Sequence, residues 1–275
     1  MKVKLIDYTQ DALTLLLYTK NTRLKSELTI DQINDWQESK RLEHLAYMRD
    51  TIKSSWEFVN YTFEITGVTR AFTHQLVRTR NGRYAQESMR TVDVRNAEVT
   101  HTDPMSNEHW RLWRPAVHNT MVTYGKLIEA GMPPQDARGI LPTNVCTSII
   151  AQFSLRTLHE MASVRLCTRT QGEYQDVFRA MKAAVVEVHP WADDFIQVAC
   201  VNTGVCVFPR YTECPIQEWT FTKDAYQPTM MKKIKKVWEE TRHEAVPVAK
   251  DGVTMDAPDK FDDGTIENFK KGLPG

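Results

Sequence analysis

Val59, Tyr61, Phe63 and Ile65 alternate with Asn60, Thr62 and Glu64, the period of a strand with one buried face. Thr66-Gly67 reads as a turn after it. Val68, Phe72, Leu76 and Val77 then recur at helical intervals, so residues 69–78 are expected to form a helix with that side inward. Upstream, Val3, Leu5 and Ile6 suggest a short strand, and residues 11–18 a helix that begins near Thr9 as a cap. Leu42, Leu45, Ala46, Met48 and Ile52 mark a second amphipathic helix. Residues 91–109 show only a weak pattern of strand and loop. Residues 107–130 are helical, with Trp110, Trp113, Val117, Met121, Tyr124, Leu127 and Ile128 at core spacing and Gly131 as the stop. A last helical block is expected from 144 to about 187, with Leu155, Leu158, Ala162, Val177, Phe178, Met181 and Val185 facing a core.

Composition narrows the class without deciding it. The chain has 275 residues, 41% of them hydrophobic, and 35 basic side chains against 35 acidic ones. That describes a globular protein of one or two domains. The apolar run at 13–18 contains Thr14 and has no basic leader, so no signal peptide or membrane span is expected and the cytoplasm is the default compartment. Five cysteines without a C-x-x-C pair are read as buried or free thiols, with no metal site. Residues 230–242 are lysine-rich and helical in pattern, and 247–275 form a polar tail.

Against that neutral background the stretch 68–90 stands out. Arg70, Arg78, Arg80, Arg83 and Arg90 are interleaved with Gln75, Thr79, Gln86 and Ser88, and only Glu87 offsets them. Guanidinium presents a planar fork of donors that matches phosphate and carboxylate oxygens, so the cluster points to an anion site. The competing reading is a solvated basic helix face. Asn81-Gly82 is expected to break the helix, with Gly82 at a positive backbone angle and residues 84–88 returning as a polar loop. Such a turn would put Gln75, Arg78, Arg80, Ser88 and Arg90 on one concave surface.

Arg78-Thr79-Arg80, then seven residues, then Ser88 and Arg90, resembles the R-H-R-x7-S signature of the flavin-dependent thymidylate synthases. Thr73, His74, Gln75, Leu76 and Val77 ahead of it match as well. So do Gly131, Pro133, Asp136, Ala137, Arg138, Leu141 and Pro142 further on, and Arg165 to Gln175 resembles the family's R-x-x-x-x-A-Q-x-E-I-R pattern. The resemblance covers residues 1–206. Four positions depart from it. The signature histidine is Thr79, a histidine ahead of the strand is Phe58, and two nucleotide-site arginines are Ser148 and Gln175.

The resemblance implies an α+β, ThyX-like fold with a central antiparallel sheet flanked by long helices. It implies a catalytic domain over 1–215 with a helix and polar tail over 216–275, and a homotetramer with shared active sites. It also implies bound FAD, NADPH as reductant and methylene-tetrahydrofolate as carbon donor. Carried over by position, Gln175, Ser88 and Arg78 would be catalytic. Gln75, Arg78, Gln86, Glu87, Ser88, Arg90, Ser148 and Gln175 would bind the nucleotide, and Arg78, Thr79, Arg80, Gln86, His159, Arg165 and Arg169 the flavin. The substrate is expected to be a deoxypyrimidine monophosphate, dUMP first and dCMP second, with a methyl or hydroxymethyl product. Two rivals remain: a nucleic-acid-binding module, against which the neutral charge counts, and a flavin reductase without carbon transfer. Ser88 is not expected to act as a covalent nucleophile, because no histidine or lysine is placed by sequence to activate it.

Overall fold

A computed structural model describes residues 1–23, 27–49, 51, 53–101, 105–203 and 214. Among these, four strands, β1 (Lys2–Tyr8), β2 (Asn60–Thr69), β3 (Arg83–Gln86) and β4 (Cys146–Ser154), form one sheet in the order β1-β2-β4-β3, antiparallel throughout. The helices are α1 (Ala12–Arg23), α2 (Ile30–Asn34), α3 (Glu38–Arg49), α4 (Arg70–Leu76), α5 (Asn107–Glu129), α6 (Pro134–Ala137), α7 (Leu155–Arg165), α8 (Gly172–Val188) and α9 (Ala199–Thr203). The chain divides into Met1–Asn202 and Thr203–Gly275. The helix expected at 230–242 and the tail lie outside the described residues.

One face of the sheet carries the core. Tyr61, Phe63 and Ile65 of β2 and Ile149, Ala151 and Phe153 of β4 point into it beside Leu16, Leu17, Leu158, Val177 and Phe178, all essentially without exposure. The alternation in β2 is therefore realised as expected, and the resulting α+β architecture is the one anticipated. The opposite face bears Thr62, Glu64, Ser148, Ile150 and Gln152, partly or fully exposed.

Several local expectations are corrected. Thr66-Gly67 is not a turn. The strand runs on to Thr69 through a bulge, with Gly67 at φ 66°, and so reaches α4 without leaving the sheet. Thr9 does not cap α1, because its hydroxyl accepts the Asn60 N–H at 3.0 Å and so fastens the start of β2. Residues 146–154 are not helix. Thr147, Ile149, Ala151 and Phe153 are buried on alternate positions, and the strand completes its ladder between β2 and β3. The consecutive apolar residues Ile149, Ile150 and Ala151 hid that period. Residues 83–86 return not as a loop but as β3 along β4.

Helix α5 forms where expected, capped by Ser106 and ended by Gly131 at φ 87°. Its apolar stripe is not core, however. Only Tyr124 is buried, Leu112 is 72% exposed, and Trp110 and Trp113 stack on each other with centroids 5.4 Å apart. The helix packs on α6 and the following turn at one end, and among the described residues much of its apolar side is uncovered.

Candidate active site

β2 hands over to α4 at Thr69. Its hydroxyl caps the helix by accepting the Phe72 N–H at 3.0 Å, then donates to Glu173 at 2.5 Å, while the Thr69 N–H reaches the other carboxylate oxygen at 2.7 Å. Glu173 lies in the first turn of α8 and is buried. A carboxylate thus ties the strand–helix junction to a second helix, where charge-assisted bonds hold more firmly than neutral ones.

After α4 the chain turns through Thr79–Gly82. The Tyr84 hydroxyl closes this loop, 3.0 Å from the Leu76 carbonyl and 2.7 Å from that of Thr79, and burial pushes its pKa up to about 12. Gly82 is required here for space and not for a positive φ. A Cβ would strike the Tyr84 ring and come within 2.6 Å of Phe153. Val77, expected inside, is 40% exposed, because α4 ends at Leu76 and Val77 already turns away from the core.

A chain of polar contacts holds the returning segment. Gln86 donates to Thr73 Oγ1 at 2.8 Å, and Gln75 bonds Gln171, which precedes α8. Arg70 Nη2 donates to the Glu87 carbonyl at 2.6 Å, with its Nε buried and unpartnered. Burial lowers the Arg70 pKa and Arg138 adds to this, while Glu87 opposes it. The Glu87 carboxylate accepts the Ser148 N–H at 3.3 Å and the Thr147 hydroxyl at 3.4 Å. Ser88 accepts the Arg90 N–H at 3.3 Å and so shapes its own loop. Thr147 and Ser148 of β4 are brought directly to Glu87, across a gap in sequence of 61 residues for Ser148.

Arg78, Arg80 and Arg90 are exposed, and none of their side chains has a partner among the described residues. Ser88 is exposed as well. Arg165, at the end of α7, stacks on the ring of Tyr174, and Arg169 lies exposed in the α7–α8 connection. Gln175 is buried, its amide donating to the Cys167 carbonyl at 2.6 Å.

His159 belongs to a different neighbourhood. Its Nδ1–H faces the Phe195 carbonyl at 2.7 Å and its Nε2 accepts from Lys53 at 2.7 Å, beside Trp56. Burial and the lysine hold it below the usual histidine range, and both nitrogens are spent inside the fold. A structural role accounts for it, in place of the flavin contact expected from position. Cys146 and Cys167 are free thiols, and burial with Glu98 and Glu173 pushes Cys146 up to about 11. No three metal-ligating side chains meet among the described residues.

No role in this region was anticipated for Glu173 or Tyr174. The signal for Glu173 was its place four residues before Val177, on the inward side of a helix where a carboxylate needs partners.

Exposed guanidinium groups beside a polar cradle match the oxygens of an anionic ligand. The family model described as thymidylate synthase complementing protein matches residues 4–191. The flavin-dependent thymidylate synthase of Pyrococcus furiosus is 29% identical over 255 residues, covering 87% of this chain and 97% of the relative. That of Thermococcus onnurineus is 30% identical over 243 residues, 82% and 96%. Among solved structures, the UMP/dUMP methylase PolB from Streptomyces cacaoi, bound with 5-Br dUMP, aligns with a TM-score of 0.58 at 18% identity. It covers 72% of this chain and 97% of that one, and supports the fold. The chain belongs to the flavin-dependent thymidylate synthase family and is an enzyme of that family, with the FAD dependence that membership implies. Among the described residues no helix is long and apolar enough to cross a membrane.

Proposed function

We propose that the enzyme transfers a one-carbon unit from methylene-tetrahydrofolate to carbon 5 of a deoxypyrimidine monophosphate in the cytoplasm, converting dUMP to dTMP with NADPH as reductant. The observation that carries this reading is the unpaired trio Arg78, Arg80 and Arg90 beside Ser88 in a chain of this family. Donor-only side chains without protein acceptors fit a ligand that brings several phosphoryl oxygens, as FAD and a nucleotide do. Arg78, Arg80, Arg165 and Arg169 would hold the flavin dinucleotide, and Ser88 with Arg90 the nucleotide phosphate. Gln75 and Gln86 would orient the nucleotide. Bound flavin would supply the hydride for the final reduction. The residues named here bind and orient, and the exposed Ser88 hydroxyl has no partner base among the described residues to make it a nucleophile.

A specific observation favours dCMP as a second substrate. The Gln175 amide is pinned to the Cys167 carbonyl through Nε2, so its Oε1 is left as an acceptor where an arginine could only donate. An acceptor suits an amino group on the base, and cytosine carries one. The apolar side of α5 supports a homotetramer, since the described residues leave Trp110, Trp113 and Leu112 partly or largely exposed.

Incubation of the FAD-loaded enzyme with methylene-tetrahydrofolate, NADPH and each nucleotide, followed by product masses, tests the proposal. Methylation of dUMP is expected. Turnover of dCMP with none of dUMP would replace the first substrate by the second, and turnover of neither would overturn the reading.

A further inference from the structure

The segment after β3 leaves the sheet at Glu87, whose N–H donates to the Ser148 carbonyl at 3.1 Å, and rejoins it at Glu98, whose carbonyl accepts the Cys146 N–H at 2.8 Å. Between these attachments the chain first makes a turn at 88–92. The Ser88 carbonyl closes it by accepting the Thr91 N–H at 3.4 Å and the Val92 N–H at 3.1 Å. Ser88 and Arg90 are exposed on this turn, and Met89 between them is half-buried. Met89 and Val94 pack with Tyr124 and Leu127 of α5 and Ala137 of α6, in a small cluster apart from the main core.

Tyr124 is the buried residue of α5, and its hydroxyl accepts the Val94 N–H at 3.4 Å. Val94 is buried too, so its N–H needs that acceptor. An ion pair also joins the segment to α5, but it decides less. Arg95 and Glu129 lie 3.5 Å apart with side chains 37% and 68% exposed, and water competes for both groups. The apolar contacts and the tyrosine hydroxyl therefore carry the attachment. With Met89 held inward, its two neighbours in the turn are directed outward, which is where both are found.

We propose that Tyr124 is a positioning residue that moors the turn at 88–92 to α5 and so sets the Ser88 hydroxyl and the Arg90 guanidinium side by side before a ligand arrives. That these two groups take the phosphate of the nucleotide rests on the functional reading above. A turn already in its binding shape does not have to be ordered by the ligand, and apparent affinity falls with the fraction of enzyme in which the turn has come away.

Tyr124→Phe and Met89→Ala loosen the mooring from its two sides, the first by removing the hydroxyl and the second by removing the side chain that the turn contributes. Dissociation constants for dUMP and for deoxyuridine are measured on the full-length, FAD-loaded variants, with thermal unfolding to check folding. Each variant is expected to weaken dUMP about fivefold, the size of one net hydrogen bond, and to leave deoxyuridine, which has no phosphate, within about twofold. In an Arg90→Ala background Tyr124→Phe should lose most of its effect on dUMP.

Deuterium exchange over residues 88–95 reads the mooring without any ligand. It should speed up in both variants while exchange in β3 and α4 stays as in the parent. If exchange speeds up there and dUMP and deoxyuridine weaken alike, the mooring stands and the assignment of the phosphate to Ser88 and Arg90 falls. Unchanged exchange at 88–95, faster exchange spread evenly over the chain, or unchanged dUMP affinity in both variants would overturn the proposal.

Discussion

β2 and β4 leave the sheet in the same way at opposite ends of one antiparallel pair, yet the two junctions differ in what surrounds them. Thr69 caps α4 and donates to Glu173, and Ser154 caps α7 and donates to Glu57 at 2.8 Å. At the Ser154 junction the cation nearby, Arg156, lies 3.5 Å from Glu57 and 3.0 Å from Glu160. Beyond the Thr69 junction Arg78, Arg80 and Arg90 have no such partners. One local device therefore serves two ends. The proposed site lies at the end where positive charge is left uncompensated, and the cap with its carboxylate is common to both ends.

The largest effect expected from this contrast is on stability. Glu173→Ala removes two bonds to a buried carboxylate and leaves the Thr69 N–H without its acceptor, at a cost of about 3–4 kcal/mol. Glu57 is 45% exposed and water can replace it, so Glu57→Ala should cost about 1 kcal/mol or less. Urea unfolding of both variants measures the gap, and equal losses would mean that the junctions are energetically alike.

Ligand binding should show the reverse dependence on location. Arg78→Ala is expected to weaken both FAD and nucleotide, and Arg90→Ala the nucleotide alone, each by at least about 2 kcal/mol. Arg156→Ala, at the other junction, should leave both dissociation constants unchanged. Calorimetric titration of the three variants would break the comparison if Arg156→Ala weakened binding as Arg78→Ala does.

The smallest effect concerns acid. His159 packs beside the turn at Lys53–Phe58, and His189 accepts from the Tyr61 hydroxyl at 2.9 Å, both toward the Ser154 end. Burial is the largest cause that lowers each pKa, assisted by Lys53 at His159 and opposed by the Gln10 carbonyl at His189. The fold therefore favours the neutral rings. Their contribution is fully present above the ordinary histidine pKa, near 6.5, and is lost as pH falls through the lowered folded values. Urea midpoints should drop from pH 7.5 to pH 5, less steeply in His159→Gln, and protection from hydrogen exchange should fail first at the Ser154 end. Uniform loss at both ends would separate acid sensitivity from the junctions.

The course of the chain through these junctions was legible to different depths. β2 could be read from its period because polar and apolar residues alternate cleanly, and α4 because Val68, Phe72 and Leu76 recur at helical intervals. β4 could not, since Ile149, Ile150 and Ala151 place apolar side chains on both faces and only pairing with β2 and β3 decides which period holds. The same limit applied to α5. Its stripe at core spacing specified a helix with an apolar side, but not whether that side is covered by this chain or by another surface.

Sequence alone determined the arginine-rich signature, the polar residues interleaved with it and hence the family, because these depend on residue type and short spacing. Tertiary structure decided which of those groups are free. Gln86 is engaged by Thr73, Glu87 by Thr147 and Ser148, and His159 by Lys53 and Phe195, while Arg78, Arg80 and Arg90 are left open. Side chains brought together from across 61 and 106 residues of chain supply the partners at Ser148 and at His159, and local spacing carries no record of contacts at that range. A hydrogen bond forms between neighbours in space, so whether a polar group is spent or available is settled only when the strands have paired and the helices have packed.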